Sequence, residues 1–307
     1  MKQSHKSRGS RGSSPTVTEG SPSNPSALPK SRSTAPVAPA QITLLTDFGT
    51  TDYYVAAVKG VILSINPSAT IVDITHQIPP QNIEAAAFTL LTCYRSFAVG
   101  TIHLAVVDPG VGSSRRAILV NAGGYFFVGP DNGIFSYVLD NEYDSRVFHV
   151  TAEKYFRQPL SSTFHGRDVF APVVAALSTG VPPEAFGPKI QNEVRMAPLK
   201  PVLLKDGRAH GRIIHIDRFG NCVTNFDRDA FSKANSENLS LKVNGKEIKS
   251  LRELYSEGKA DKNLFAIWGS AGFLEISVQN RSAAKILMAK CGDLVSLKIG
   301  RTSSVSP

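Results

Sequence analysis

Residues 103 to 116, HLAVVDPGVGSSRR, bring together residue types that can do chemistry. An apolar run typical of a buried strand ends at Asp108, a Pro-Gly-Val-Gly turn follows, and Arg115 and Arg116 come seven and eight residues after the acid. Turn glycines adopt positive φ angles and allow close approach to a ligand. An acid at the carboxyl end of a strand lies where α/β sheets bind small molecules. The segment therefore predicts a site that contains a carboxylate and a guanidinium.

Three other segments place polar residues beside glycines, mostly at the ends of apolar runs. They are TDFGTTD (46–52), TFHGRD (163–168) and IDRFGN (216–221). Each one alone is also typical of a capped turn. All four segments together favour a convergent polar site, to which they contribute acids, a histidine and an asparagine.

Two nucleotide-binding motifs are excluded by order and composition. TDFG and HGRD are similar to protein-kinase motifs, but here they come in the reverse of the kinase order, with no Gly-rich loop or strand lysine motif. GVGSSRR lacks the Gly-Lys-Ser/Thr of a Walker A loop. The sequence therefore predicts neither a kinase nor a P-loop nucleotide-binding protein.

A metal site is a further alternative, because five side chains could supply ligands: Asp47, His76, Asp108, His165 and Asp168. The chain has no HExxH, HxH or paired-cysteine spacing, and arginines follow both Asp108 and His165, where they would oppose a cation. Cys93, Cys222 and Cys291 are far apart and form no CxxC pair, which indicates reduced thiols in a cytoplasmic protein. We therefore expect no catalytic metal and no structural zinc.

The elements that must position these residues alternate between strand and helix from residue 41 onward. We predict strands at 42–45, 69–74, 101–107, 116–121 and 125–129, and helices at about 53–65, 82–94 and 168–177. Such alternation is typical of an α/β domain, and we expect a Rossmann-like, mostly parallel sheet covered on both faces.

The hydrophobic period changes to two beyond residues 180–190, a Pro- and Gly-rich stretch that we take as the domain boundary. GRIIHID, CVTNF, LSLKVNGKEI, LFAIWGSAGFLEISV and LVSLKIG predict strands, with Asn244-Gly245 as a hairpin turn. The sequence thus predicts an α/β catalytic domain at 41–190 and a C-terminal, mostly-β, barrel-like domain at 200–303.

The 307-residue chain has a formal net charge of +9, which is unevenly distributed. Residues 1–40 are rich in Ser, Pro and Gly and hold six basic residues against one acid, so this segment carries +5 and the remainder +4. We predict a disordered basic tail at 1–40, because it cannot bury enough apolar surface to fold. The rest has no dense basic run with interleaved aromatics and no apolar run long enough for a membrane span, so we expect neither nucleic-acid nor membrane partners.

The chain resembles the SAM hydroxide adenosyltransferases, which are related to the fluorinase and chlorinase enzymes. The resemblance covers residues 41–300 and is carried, in family order, by TDFGTTDYYVAAVKG, DPGVGSSRR, TFHGRD, IDRFGNCVTNF and WGSAGFLEISVQNRSAA. It implies the reaction of S-adenosyl-L-methionine (SAM) with water to give adenosine and L-methionine, with SAM as substrate and no cofactor. It also implies a homotrimer with sites at the subunit interfaces.

The same resemblance implies the site residues. The family's catalytic Asp, Arg and His correspond to Asp108, Arg115 and His165, with Arg116 as the rival for the arginine. The implied substrate-binding residues are Asp47 on the ribose hydroxyls; Asp52, Asp217 and Asn221 on the methionine end; Phe164 and Phe219 packed on the substrate; and the segment from Ser270 through Arg281 to Ala283 against adenine. The loop IDRFGN, which carries Phe219, differs in length from that of the fluorinases.

Three alternatives remain open at the level of sequence. The first is a halogenase of the same fold, against which Asp108 counts because a carboxylate would repel a halide. The second is a SAM- or adenosine-binding sensor without physiological turnover. The third is nucleic-acid binding through the tail, which predicts a salt dependence that disappears when residues 1–40 are removed.

Overall fold

The computed structural model describes residues 40–206, 208–231, 239–257 and 263–299. The predicted disordered tail, except for residue 40, lies outside the described residues. Within them the chain forms two sheets, one from residues 41–190 and the other from residues 202–299. No helix among the described residues is long and apolar enough to cross a membrane.

The first sheet has seven strands. They are β1 (Gln41–Thr46), β2 (Thr70–Thr75), β3 (Ile102–Val106), β4 (Ala117–Ala122), β5 (Tyr125–Pro130), β6 (Ser145–His149) and β7 (Lys189–Ile190). Their order is β2-β1-β3-β5-β4-β6-β7, in which β2, β1, β3 and β5 pair in parallel and the other pairs are antiparallel. The sheet is therefore a mixed one, in which the parallel strands β1 and β3 lead directly into the polar segments.

Four helices belong to this sheet. They are α1 (Tyr54–Ile65), α2 (Ile83–Cys93), α3 (Ser136–Asn141) and α4 (Ala171–Ser178). Helices α1 and α4 pack on one face, where Leu104 and Val106 of β3 join their core. Helices α2 and α3 cover the other face, where Ala105 and Val107 point, because side chains of a strand alternate between faces. Both faces are thus buried, as the sequence predicts.

The second sheet has nine strands and is almost wholly antiparallel. They are β8 (Val202–Leu203), β9 (Arg208–Ile216), β10 (Cys222–Asp227), β11 (Leu239–Val243), β12 (Lys246–Ile248), β13 (Leu251–Arg252), β14 (Phe265–Trp268), β15 (Phe273–Ser277) and β16 (Leu294–Ile299), with α5 (Ala283–Leu287) before the last of them. The order is β12-β11-β16-β9-β10-β15-β14-β13, with β8 beside β9, and the sheet curls into a half-barrel. The predicted hairpin at Asn244-Gly245 is confirmed, since both residues have positive φ between β11 and β12.

In the first sheet, the predicted strands and the first two predicted helices are confirmed, with shifts of one or two residues at their ends. The helix predicted at 168–177 instead begins as a π-helical turn, Gly166–Phe170, and continues as α4. Helix α3, strand β6 and helix α5 were not predicted, because each is short and lacks a clear hydrophobic period.

The two sheets meet through a small apolar cluster and one polar cluster. Phe88 of α2 packs in a buried cluster with Ile214 of β9 and Val223 of β10. Beside it, Arg212 donates to Glu84, and the Tyr137 hydroxyl donates to the same carboxylate at 2.9 Å. These contacts hold the C-terminal sheet against α2 and α3.

Candidate active site

The carboxyl end of β3 delivers Asp108 to a salt bridge with Arg115. The Arg115 Nε donates to Oδ1 and Oδ2 of Asp108 at 2.9 and 3.0 Å, and Nη2 also donates to Oδ2. Both side chains are nearly buried, with 6% of Asp108 and 10% of Arg115 exposed. The Arg115 guanidinium also lies 5.2 Å from the ring centre of Phe170. Two-point contact and burial together fix this pair in one orientation.

His165 completes the cluster from another part of the chain. Its Nδ1 lies 3.0 Å from Nη2 of Arg115. A guanidinium has only N–H donors, so we assign Nδ1 as the acceptor, which places the proton of the neutral imidazole on Nε2. Burial and the neighbouring charge of Arg115 lower the pKa of His165, and the Asp108 and Asp168 carboxylates offset part of that effect. The neutral imidazole is therefore favoured at pH 7.

A close backbone approach brings the two segments together. Gly112 has a φ of +77°, and a Cβ atom at this position would lie 2.2 Å from the carbonyl oxygen of Ser162. The glycine of the Pro-Gly-Val-Gly turn thus allows the turn after β3 to press against the loop that precedes His165. Any larger residue would require that loop to move.

Arg116, the rival for the arginine role, contacts a different set of residues. Its Nε donates to Asp131 Oδ2 at 2.7 Å, and its Nη1 and Nη2 donate to the side chain and the backbone carbonyl of Asn192 at 2.7 and 2.6 Å. Asp131 also accepts from the backbone N–H of Val194. The structure therefore joins Arg115, and not Arg116, to Asp108 and His165.

A cavity of about 340 Å³ opens beside this cluster. Asp47, Asp108, Phe164 and His165 line it, so four predicted site residues share one space. Asp47 follows β1, and its Oδ2 accepts from the backbone N–H of Gln81 at 2.8 Å. Asp52 is exposed and is not among the residues that line this cavity.

Aromatic rings form one wall of the cavity and were not predicted as a group. The ring of Phe164 lies edge-on to Tyr54 at 5.1 Å and to Phe48 at 6.0 Å. Tyr53 stacks loosely on Tyr54 and is 64% exposed. Two adjacent tyrosines directly after the TDFGTTD acids are the sequence signal that could have found this wall.

Five of the other predicted residues line a separate cavity on the C-terminal sheet. Its volume is about 1000 Å³. Asp217, Phe219, Asn221, Ser270 and Arg281 line it, and it shares no lining residue with the first cavity. Ala283 is instead fully buried, in the core of the C-terminal sheet at the start of α5.

Asp217 organises its own turn in this second cavity. Its Oδ1 accepts from the backbone N–H groups of Phe219 and Asn221 at 2.9 and 2.8 Å, and its Oδ2 accepts from the Asn221 side chain at 2.8 Å. Gly220, with a φ of +86°, closes the turn against Ser282. This arrangement leaves Phe219 78% exposed.

Glu275 and Tyr255 also line the second cavity and were missed from sequence. The Tyr255 hydroxyl donates to Glu275 Oε2 at 2.9 Å. Glu275 is 9% exposed, and burial raises its pKa above the ordinary value. Gly269 leaves the space for it, since a Cβ atom there would lie 1.8 Å from Glu275 Oε1. The sequence signal was an acid among the apolar positions of LEISV.

A metal centre was the other chemistry open to these residues. Among the residues that the structure describes, no group of three His, Cys, Asp or Glu side chains could hold a metal ion. The guanidinium of Arg115 lies where a cation would have to approach Asp108 and His165. The arrangement suits a polar reaction on a small molecule.

Comparisons with known proteins assign both sheets to the same family. The family model for the SAM hydroxide adenosyltransferase N-terminal domain matches residues 42–187, and that for the C-terminal domain matches residues 211–296. A Methanocaldococcus jannaschii protein named (R)-S-adenosyl-L-methionine hydrolase is 38% identical over 255 residues, which are 80% of this chain and 91% of that protein. A Thermus thermophilus protein of the same name is 37% identical, over 81% of this chain and 95% of that protein.

A more distant relative and a solved structure complete the comparison. A protein of Actinoplanes sp. named fluorinase is 29% identical, over 63% of this chain and 74% of that protein. The crystal structure of an uncharacterized conserved protein from Thermotoga maritima superposes with a TM-score of 0.79 at 34% identity, over 84% of this chain and 99% of that chain.

Proposed function

The chain belongs to the SAM hydroxide adenosyltransferase family, and from that premise we propose how its residues act. The protein is an enzyme that hydrolyses SAM to adenosine and L-methionine. The observation that carries the mechanism is the contact of Arg115 with both Asp108 and His165, which line one cavity.

Water attacks the 5′ carbon of the ribose in line with the bond to sulfur. The C–O bond forms, the C–S bond breaks, and its electron pair neutralises the sulfonium as methionine leaves. A sulfonium needs no protonation to depart, so no cofactor is required. The proton of the attacking water is the one that must be taken up by the protein.

Asp108 is the proton acceptor in this scheme. Each carboxylate oxygen can accept two hydrogen bonds, so Oδ1 keeps a lone pair beyond its bond with Arg115 Nε. His165 holds its proton on Nε2 and acts as a donor that orients the water. Arg115 stabilises the developing hydroxide and fixes both partners. The water becomes more acidic as its bond to carbon forms, so a carboxylate paired with a guanidinium is a sufficient base.

Asp47 binds the ribose hydroxyls, since its carboxylate lines the same cavity and can accept from two O–H groups. The residues of the second cavity hold the rest of SAM. Asp217 and Asn221, together with Asp52, bind the methionine end, and Phe219 packs on the substrate. The segment from Ser270 to Arg281 lies against the adenine, and the buried Ala283 ends this segment without lining the cavity. Because the two cavities share no residue within one chain, we propose that they meet across subunits of a homotrimer. The exposed Phe219 supports this arrangement, because it would be covered by a neighbour.

We further propose that the enzyme works in the cytoplasm, since its three cysteines are free. The parallel set β2, β1, β3 and β5 supports a Rossmann-like description of the first sheet. The curl of the second sheet supports its description as a barrel-like domain.

The test is the identity of the product. Purified protein is incubated with SAM, with and without high chloride, and the products are identified by chromatography and mass spectrometry. Adenosine and methionine are expected under both conditions, and chlorinated adenosine would instead assign the protein to the halogenases. SAM that binds and stays intact would indicate a sensor.

The same assay with Asp108→Ala tests the assignment of the proton acceptor. We expect no detectable turnover and little change in SAM affinity. The matched control is Asp140→Ala. It removes a carboxylate of α3 that pairs with Arg195, and it should keep full activity. A large loss of SAM binding in Asp108→Ala would make Asp108 a substrate-holding residue.

A further inference from the structure

Asp168 is fully buried three residues after His165, within the π-helical turn. Arg167 Nε and Nη2 donate to its two carboxylate oxygens at 2.7 and 2.9 Å. Arg157 Nη1 donates to Oδ1 at 3.3 Å, and the backbone N–H of Ser161 donates to Oδ2 at 3.0 Å. Its backbone carbonyl accepts from the N–H of Arg157 at 2.8 Å. One carboxylate thus ties together both ends and the middle of the loop 157–168.

This loop carries His165 and lies directly against the turn that carries Arg115. The contact between Gly112 and Ser162, one residue beyond Ser161, leaves no space between the two segments. A shift of the loop would therefore change the position of His165 relative to Arg115. Such a shift would also disturb the 3.0 Å contact between Nη2 and Nδ1.

We propose, on the basis of the hydrolase mechanism above, that Asp168 is a positioning residue, which holds His165 where Nδ1 accepts from Arg115. Asp168 acts through the backbone of the loop, and it lies outside the residues that line the cavity. The π-helical turn Gly166–Phe170 begins directly after His165 and contains Asp168, and such turns are frequent at functional sites.

Fold stability alone does not explain a carboxylate at this place. A buried ion pair is often no more stabilising than apolar residues of the same volume, because desolvation opposes the attraction. The two residues that follow Asp168, Val169 and Phe170, belong to the buried apolar core together with α4, so apolar side chains are the rule in this turn. The negative charge of Asp168 also acts on His165 electrostatically, as the charges of Asp108 and Arg115 do. Asp168 and Asp108 raise the pKa of His165, against burial and Arg115.

The decisive variant is Asp168→Asn in the full-length protein, with Glu142→Gln as its matched control. Glu142 also pairs with an arginine, Arg95, and accepts from the Tyr94 hydroxyl. It lies beside the turn at Gly123, at the end of the sheet opposite Asp108. Both variants replace a carboxylate by its amide, and both should lower the melting temperature.

Only Asp168→Asn should change catalysis. We expect kcat to fall about a hundredfold, as small misplacements of catalytic groups do, with an unchanged dissociation constant for SAM measured by calorimetry. The acid limb of the kcat–pH profile should move to lower pH, because the loss of a negative charge lowers the pKa of His165. Glu142→Gln should keep the wild-type kcat and the wild-type limb.

Three outcomes overturn the proposal. They are equal kcat losses in the two variants, an acid limb that does not move, or a loss of SAM binding in place of kcat. A wild-type protein that does not hydrolyse SAM would contradict the function itself, which is a separate result. If Asp168→Asn does not fold, Arg167→Lys decides, because it keeps the charge and removes the two-point bond. We then expect about a tenfold fall in kcat with unchanged SAM affinity, and an unchanged kcat would overturn the proposal.

Discussion

The two cavities differ in where their polar groups find partners. In the first, Asp108, Arg115 and His165 come from separate segments and bind one another in a buried cluster. In the second, Asp217 accepts its hydrogen bonds from its own turn, and Phe219 stands exposed. The first is therefore preorganised by the tertiary fold, and the second is a locally folded surface that another molecule can complete. Substitutions in the Asp108–Arg115–His165 cluster should therefore affect turnover, and substitutions in the second cavity should affect substrate affinity.

After Asp108→Ala, the largest effect is expected from Arg115→Lys. A lysine cannot make the two-point bond to Asp108 and also donate to His165, so kcat should fall at least about a hundredfold. Single-turnover kinetics and calorimetry with SAM would separate chemistry from binding. Arg116→Lys is the control. It should lower the melting temperature and leave kcat close to the wild-type value. Equal losses of kcat would mean that the first cavity does not depend on the Asp108–Arg115–His165 cluster.

Asp47→Ala should weaken binding within the first cavity and so sharpen the comparison. Loss of two hydrogen bonds to a charged acceptor should raise the dissociation constant for SAM about tenfold to a hundredfold. Asp47→Asn should lie between this variant and the wild type, because the amide oxygen can still accept from the Gln81 N–H. An unchanged affinity would remove Asp47 from the ribose site.

Protonation of His165 should lower kcat through the first cavity and leave the second cavity unaffected. As the pH falls through the lowered pKa of His165, Nδ1 gains a proton and can no longer accept from Arg115. We therefore expect kcat to be constant near neutral pH and to fall about tenfold per pH unit below an apparent pKa that lies under 6.5. His165→Gln should lack this limb, since its amide does not titrate. The same limb in both proteins would assign it to another group.

The smallest effect is expected from Asp217→Asn in the second cavity. Asparagine can keep the two backbone bonds of the turn, so thermal stability should change little. Loss of the charge should raise KM for SAM by less than about tenfold and leave kcat unchanged. A large fall in kcat would show that this cavity also shapes the reacting centre, and that the contrast between the two regions is wrong.

Much of the first cavity could be predicted, because the ends of buried strands can be recognised from the sequence. Asp47 and Asp108 follow apolar strands, and parallel strands end at one edge of a sheet. The spacing from Asp108 favours Arg115 over Arg116, but the structural reason is tertiary: Arg115 reaches Asp108 and His165, whereas Arg116, directly before β4, binds Asp131 and Asn192. The π-helical turn after His165 was equally hidden, since GRDVF has no local signal for it.

The second cavity was harder to predict. Its residues come from the turn at 217–221, the segment around Tyr255 and the strands β14 and β15, which are distant in sequence. Glu275 appears in sequence as one acid in an apolar strand, and only its hydrogen bond with Tyr255 and its place in the cavity lining show that it is buried toward the cavity. The hydrophobic period of a strand does not show which remote strand pairs with it, so these residues could not be grouped from sequence.

The adjacent arginines also have an evolutionary consequence. Arg116 is anchored to Asp131 and Asn192, and this anchor fixes the backbone from which Arg115 reaches Asp108. The two positions should therefore be epistatic: complete loss of the Arg116 anchor, unlike the conservative change to lysine, would displace Arg115 and so reduce the further loss caused by a change at Arg115. A lineage that lost the outer arginine would be freer to abandon the inner one, and with it the use of water.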